Sequence, residues 1–184
     1  TPDPEEPAQS QPSSDSNPDT SSPAATTYDN SYSDELVEVK VHAEAGIIPS
    51  GAELVVTPIV KAEITADMSE EEKEQTEAVN AQYDLTEKKL NESNENTESE
   101  LSGFIAYDIS FVSDGKETEP DGSVSVEMNF KKATKPDGAS DDSEVSVKHL
   151  KEVSSEEDGI KVEDITDSTS INATDNAEVK KVEM

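Results

Sequence analysis

The sequence has no cysteine, no tryptophan and no arginine. Without cysteine there is no disulfide framework, no thiolate metal site and no thiol nucleophile. Without arginine all 14 cationic side chains are lysines, so no planar fork is available to grip phosphate or carboxylate through two hydrogen bonds. Positive charge is also scarce against 44 acidic residues, a formal net charge of -30. That balance excludes nucleic acid as a partner and disfavours contact with an anionic membrane surface. No apolar run approaches the roughly 18 residues of a membrane-spanning helix, and the N-terminus lacks the basic-then-apolar pattern of an export signal, which would therefore have to precede Thr1.

Aliphatic residues are unevenly spread. Residues 1–33 contain no Leu, Ile, Val, Met or Phe, while holding six of the ten prolines and eight serines. Such a stretch cannot repay the entropy of ordering a chain, which predicts a disordered Pro/Ser/Asp-rich linker over 1–33. The remaining residues, 34–184, suit one domain with a useful core.

Within that domain the dominant period is two. Val37, Val39, Val41 and Ala43 alternate with Glu38, Lys40 and His42, the pattern of a strand with one wet face. A second strand is expected over Leu54–Val60, and Pro58 assigns it to a sheet edge or a bulge, since proline donates no ladder hydrogen bond. Ile105, Tyr107, Ile109 and Phe111 share one face of a further strand, and Val124, Val126, Met128 and Phe130 alternate strictly with polar residues in the next. Shorter strands are expected at Val145–Leu150 and Ile160–Ile165, with a last one at Glu178–Met184. Turn signals separate them at Ser113-Asp114-Gly115, Pro120-Asp121-Gly122 and from Lys135 to Asp142.

Residues 69–92 break the pattern. Ser69-Glu70-Glu71-Glu72 reads as a capping box, and Val79, Tyr83, Thr86 and Leu90 fall on one helical face. The expected fold is mainly β: an antiparallel β-sandwich with one inserted amphipathic α-helix at about 69–92 and a disordered N-terminal tail. The narrow apolar stripe suits a helix packed on the sandwich rather than one offered to a partner.

Chemical signals are few. His42 and His149 lack paired spacing for zinc. Asp137, Asp141, Asp142 and Glu144 are the candidate calcium ligands, although their spacing departs from an EF-hand and a solvated acidic loop is the favoured account of them. There is no Gly-rich phosphate loop and no G-x-S-x-G elbow, so no catalytic residue, no cofactor site and no enzymatic activity are expected.

Several phrases carry a resemblance: Val-His-Ala-Glu-Ala-Gly-Ile-Ile-Pro-Ser-Gly-Ala-Glu-Leu-Val-Val-Thr-Pro (41–58), Tyr-Asp-Ile-Ser-Phe (107–111), Gly-Lys-Glu-Thr-Glu-Pro-Asp-Gly (115–122) and Val-Lys-His-Leu (147–150). Together they resemble the β-sandwich modules of large cell-surface proteins of gut Firmicutes, similar in outline to ZU5 domains. The resemblance covers roughly residues 36–184 and consists of turn-and-strand phrases. Surface modules of this kind sometimes carry internal Lys-Asn or Thr-Gln bonds, which makes Lys40, Lys61 and Asn129 candidates for an internal lysine–asparagine amide. It implies a secreted, non-catalytic structural or spacer module on a Gram-positive bacterial surface, whose partners are neighbouring modules of the same polypeptide. An adhesin or carbohydrate-binding module, with a host or glycan ligand, is the first alternative; only seven aromatic residues are available for it. A self-processing module is the second. Some ZU5 relatives cleave their own backbone at His-Phe-Ser, whereas this chain has His149-Leu150-Lys151. The apparent strand at Met184 leaves room for a final strand beyond it.

Overall fold

The computed structural model describes residues 25–95, 99–152 and 159–184. Among them are ten strands in three antiparallel sheets and one α-helix, so the mainly β expectation holds. The strands are β1 (Tyr28–Ser33), β2 (Val37–Ala43), β3 (Glu53–Pro58), β4 (Tyr107–Ser113), β5 (Lys116–Thr118), β6 (Val124–Thr134), β7 (Lys148–Glu152), β8 (Ile160–Asp164), β9 (Ser170–Ala173) and β10 (Val179–Glu183). Helix α1 spans Glu70–Asn94.

The largest sheet has the order β1-β2-β6-β10-β9, and a second has β3-β4-β5. They pack face to face because their inward residues are small and β-branched. Val37 and Val39 are fully buried, and Val41 and Ala43 nearly so. Opposite them lie Val56 of β3 and Phe111 of β4, with Met128 and Phe130 of β6 at the margin. Burying each such side chain contributes roughly 1.5–3 kcal/mol. The period of two on β2 is therefore the main reason the sandwich closes.

The connection from β2 to β3 crosses between the sheets. Gly46 (φ 87°) and Gly51 (φ 82°) take the left-handed backbone that side chains resist, letting Ile48 and Ala52 drop into the core. The Pro120-Asp121-Gly122 turn leans on it: the Asp121 amide donates to the Ile47 carbonyl at 2.8 Å. A Cβ on Gly122 would lie 2.5 Å from Ile47 Cδ1. Only glycine fits there without a shift.

A second tie between the sheets is Asp34, in the β1–β2 turn. Its Oδ1 accepts from the amides of Leu36 (2.7 Å) and Val37 (2.8 Å), and its Oδ2 from the hydroxyls of Tyr107 (3.1 Å) and Tyr32 (3.4 Å). Lys131 of β6 donates to its carbonyl oxygen. Burial pushes the Asp34 carboxyl up, but the Val37 and Leu36 amides and then the two hydroxyls outweigh it and hold it below its ordinary value.

Helix α1 starts where the capping box places it. The Glu72 amide donates to Ser69 Oγ (3.2 Å), and the Ser69 amide to the Glu72 carboxylate (2.8 Å). Thr86 and Leu90 are buried, Tyr83 stacks on Phe104 at 4.8 Å, and the helix touches β8. Asn80 grips the 59–64 segment from both sides, its side chain accepting from the Ala62 amide and donating to the Ala62 carbonyl. Strands β7 and β8 form a separate hairpin.

Four details differ from or refine the sequence expectation. Tyr28–Ser33, assigned there to the linker, forms edge strand β1, with Tyr28 and Tyr32 opposite Ala43 and Val39; tyrosine supplies the inward period where aliphatics are missing. The rest of that linker, up to residue 24, lies outside the described residues. Strands β5 and β9 fall in stretches to which the sequence assigns no element, since three or four residues give too short a period to register. Strand β10 is an interior strand between β6 and β9. Pro58 meets its expectation as the last residue of β3, an edge strand.

Candidate functional site

The outer face of the five-stranded sheet gathers more chemistry than any other described surface. Because β2, β6 and β10 present valine inward, their intervening residues must point to water. Glu38, Lys40 and His42 from β2, Ser125, Glu127 and Asn129 from β6, and Lys181 and Glu183 from β10 therefore share one face, with Asp29 added by β1. Asp29, Lys40, His42, Ser125, Glu127 and Glu183 among them line an open depression of about 690 Å³ that reaches from Asn30 to Met184.

These side chains satisfy one another. Lys181 Nζ lies 2.7 Å from the Glu127 carboxylate and 3.0 Å from that of Glu183. Lys40 Nζ sits 3.3 Å from Glu38 and 3.8 Å from Glu127, and Asn129 donates to Glu127 at 2.7 Å. Lys181, then Asn129, draw the Glu127 carboxyl down to about 2. The same bond to Glu127, with help from Glu183, raises the Lys181 ammonium. His42 Nδ1 is 2.8 Å from Asp29, and its Nε2 is 3.7 Å from Glu44. Hydrogen bonding to Asp29 raises His42 above its usual value and lowers Asp29 in turn.

The ladder is thus a set of strand ties held in their charged forms. A general acid needs a carboxyl kept protonated by desolvation, and a nucleophilic lysine needs its proton removed; here exposure and opposite charges favour the reverse of both. The amide candidates separate accordingly. Lys61 is on the helix side, bound to Asp84 at 2.6 Å, whereas Lys40 and Asn129 both reach Glu127. The Glu127 carboxylate, which both side chains contact, thus stands between Lys40 and Asn129.

The candidate calcium ligands do not converge. Asp141 pairs with Lys135 inside the β6–β7 loop, and among the described residues no three His, Asp or Glu side chains are grouped so as to hold a metal ion. His149 lies exposed on β7, its Nδ1 3.9 Å from Glu163, in a hairpin with no hydroxyl nucleophile at the next two positions. Among the described residues no helix is long and apolar enough to cross a membrane.

Sequence reading had placed Lys40, His42, Glu127 and Asn129 on strand faces. It missed Asp29 and Lys181, whose roles depend on β1 and β10 lying in the same sheet as β2 and β6. Strand pairing across such distances in sequence has no local signal. Asp34 carried one, an aspartate just ahead of a strand, where its carboxylate can reach the amide two residues on in an Asx turn.

Compared with known proteins, the chain matches no family model, no curated protein and no solved structure.

Proposed function

We propose that the chain is a non-catalytic structural module of a secreted bacterial surface protein, joined to neighbouring modules of the same polypeptide and displayed outside the cell. What carries this reading is the self-pairing of the outer sheet face. Its charged groups are committed to one another, and no aromatic side chain stands among them to stack on a sugar ring. The surface location follows from the resemblance to ZU5-like modules of gut Firmicutes, and the strong acidity suits a chain that must stay soluble and apart from its neighbours.

The test is a glycan array and a host-matrix binding screen with the intact chain, alongside electrophoresis of the longer natural polypeptide. The structural reading expects no saturable ligand and one uncleaved band. A glycan bound at micromolar strength would replace it with the adhesin reading, and two bands separating within the module would replace it with self-processing.

A further inference from the structure

The two ends of the five-stranded sheet are not used equally. Tyr28, which opens β1, lies opposite Ala43, and Ala43 lies opposite Val124 at the start of β6. Met184 exchanges both backbone hydrogen bonds with Val126 (2.9 and 2.8 Å), Val126 faces Val41, and Val41 faces Asn30. Asn30 and Met184 therefore stand in one row across the sheet, and both line the same depression. The chain enters β1 and leaves β10 at the same end. Only β2 and β6 separate them, so the two points are about 14 Å apart at roughly 4.8 Å per strand step. Strand β6, by contrast, runs about 36 Å at roughly 3.3 Å per residue.

We propose that the module is a force-yielding element: loaded between Tyr28 and Met184, it yields by peeling β1 from β2. The idea rests on the structural-module reading and adds a mechanical role to it. Tension between these two points runs across the strands, along the ladder hydrogen bonds. Those bonds then load one at a time rather than together as they would in shear. Strand β1 yields first because it has a ladder neighbour on one side only, while β10 is held by both β6 and β9. Peeling takes Tyr28 off Phe111, whose rings meet edge to face at 5.6 Å. It then halts at Asp34, which the Leu36 and Val37 amides, the Tyr107 hydroxyl and Lys131 still hold. Past that stop the core opens, and residues 28–184 release roughly 550 Å of chain at about 3.5 Å per residue.

The absence of native cysteine makes attachment clean. In an optical trap, the full chain is pulled between Thr26→Cys and a cysteine appended after Met184, then between Thr26→Cys and Lys132→Cys near the far end of β6. The first geometry is expected to rupture at several-fold lower force, with a short initial step of roughly 20 Å, the length of β1, before the main release. The second loads β1 and β2 in shear and should show a single, stronger event. Equal rupture forces in the two geometries would overturn the proposal. Asp34→Ala is expected to merge the two steps of the first geometry; should that variant fail to fold, the comparison of geometries on the native core still decides. A glycan ligand would overturn the structural-module reading and leave the force comparison intact, whereas equal forces would leave an inert spacer.

Discussion

At the scale of single residues the molecule depends on a few polar side chains that satisfy backbone groups. Asp34 is the clearest: it opens the β1–β2 turn and reaches Tyr107 on the other sheet. Hydrogen bonds to a charged group are each worth about 1.5–3 kcal/mol, so Asp34→Ala should lower stability by roughly 2–3 kcal/mol after water replaces part of the loss. Asp34→Asn should cost less, because its oxygen still accepts from Leu36 and Val37. Urea midpoints at constant slope measure both. Since the folded Asp34 carboxyl lies below its ordinary 3.8, its contribution is complete above that value and is lost as the pH falls beneath it. His42 runs the other way. Its raised value means the tie to Asp29 is present below about 6.5, the unfolded value, and fades as the pH rises through the folded one. A proton NMR titration should find the His42 midpoint above 6.5 and, in Asp29→Asn, displaced downward. The Lys40–Glu127–Asn129 cluster yields a third expectation at this scale. With Glu127 taking the contacts of both Lys40 and Asn129, intact mass should equal the sequence mass, and a deficit of one ammonia would show an internal amide.

At the scale of elements, helix α1 is an attachment rather than a part of the sandwich. Its buried face amounts to Thr86 and Leu90, and it holds the 59–64 segment chiefly through Asn80 and the Lys61–Asp84 pair. Asn80→Ala should therefore free that segment without disturbing the core. Hydrogen exchange at the Ala62 amide is expected to quicken about tenfold, corresponding to one or two lost hydrogen bonds of about 1 kcal/mol each. The β2 amides should keep their protection. Equal acceleration in β2 would mean that the helix supports the sandwich directly. How much of this was legible in the sequence follows from where the physics is local. The capping box at Ser69, the valine period of β2 and the Pro58 edge are properties of neighbouring residues, and each was readable. Strand β1 was not, because its inward residues are two tyrosines and an asparagine inside a proline- and serine-rich stretch. The interior place of β10 was not either, because β6 and β10 are joined only by contacts between residues some fifty positions apart. The charge ladder inherits that limit: Lys40 and Glu127 could be placed on wet faces, but nothing near them in sequence announces Lys181.

At the scale of the whole molecule, two electrostatic effects oppose each other. The outer sheet face is a ladder of attractive ion pairs, while the chain as a whole carries a formal charge of -30. Exposed pairs contribute about 0–1 kcal/mol apiece, and salt weakens them. Self-repulsion among the excess carboxylates acts over longer distances and involves far more groups, so at low ionic strength the repulsion outweighs the pairs. Salt shortens the screening length from about 30 Å at 0.01 M to about 8 Å at 0.15 M. That range spans the width of the sandwich, so it removes most of the repulsion between its far sides while leaving contacts of 3–4 Å partly intact. The melting temperature should therefore rise as sodium chloride is increased from about 0.01 to 0.15 M, levelling off once the screening length falls below the spacing of neighbouring carboxylates. Substituting calcium at matched ionic strength should add no further rise, because Asp137, Asp141, Asp142 and Glu144 do not gather around a common point. A melting temperature that falls with sodium chloride would mean that the ladder, and not the excess charge, governs the stability of this sheet.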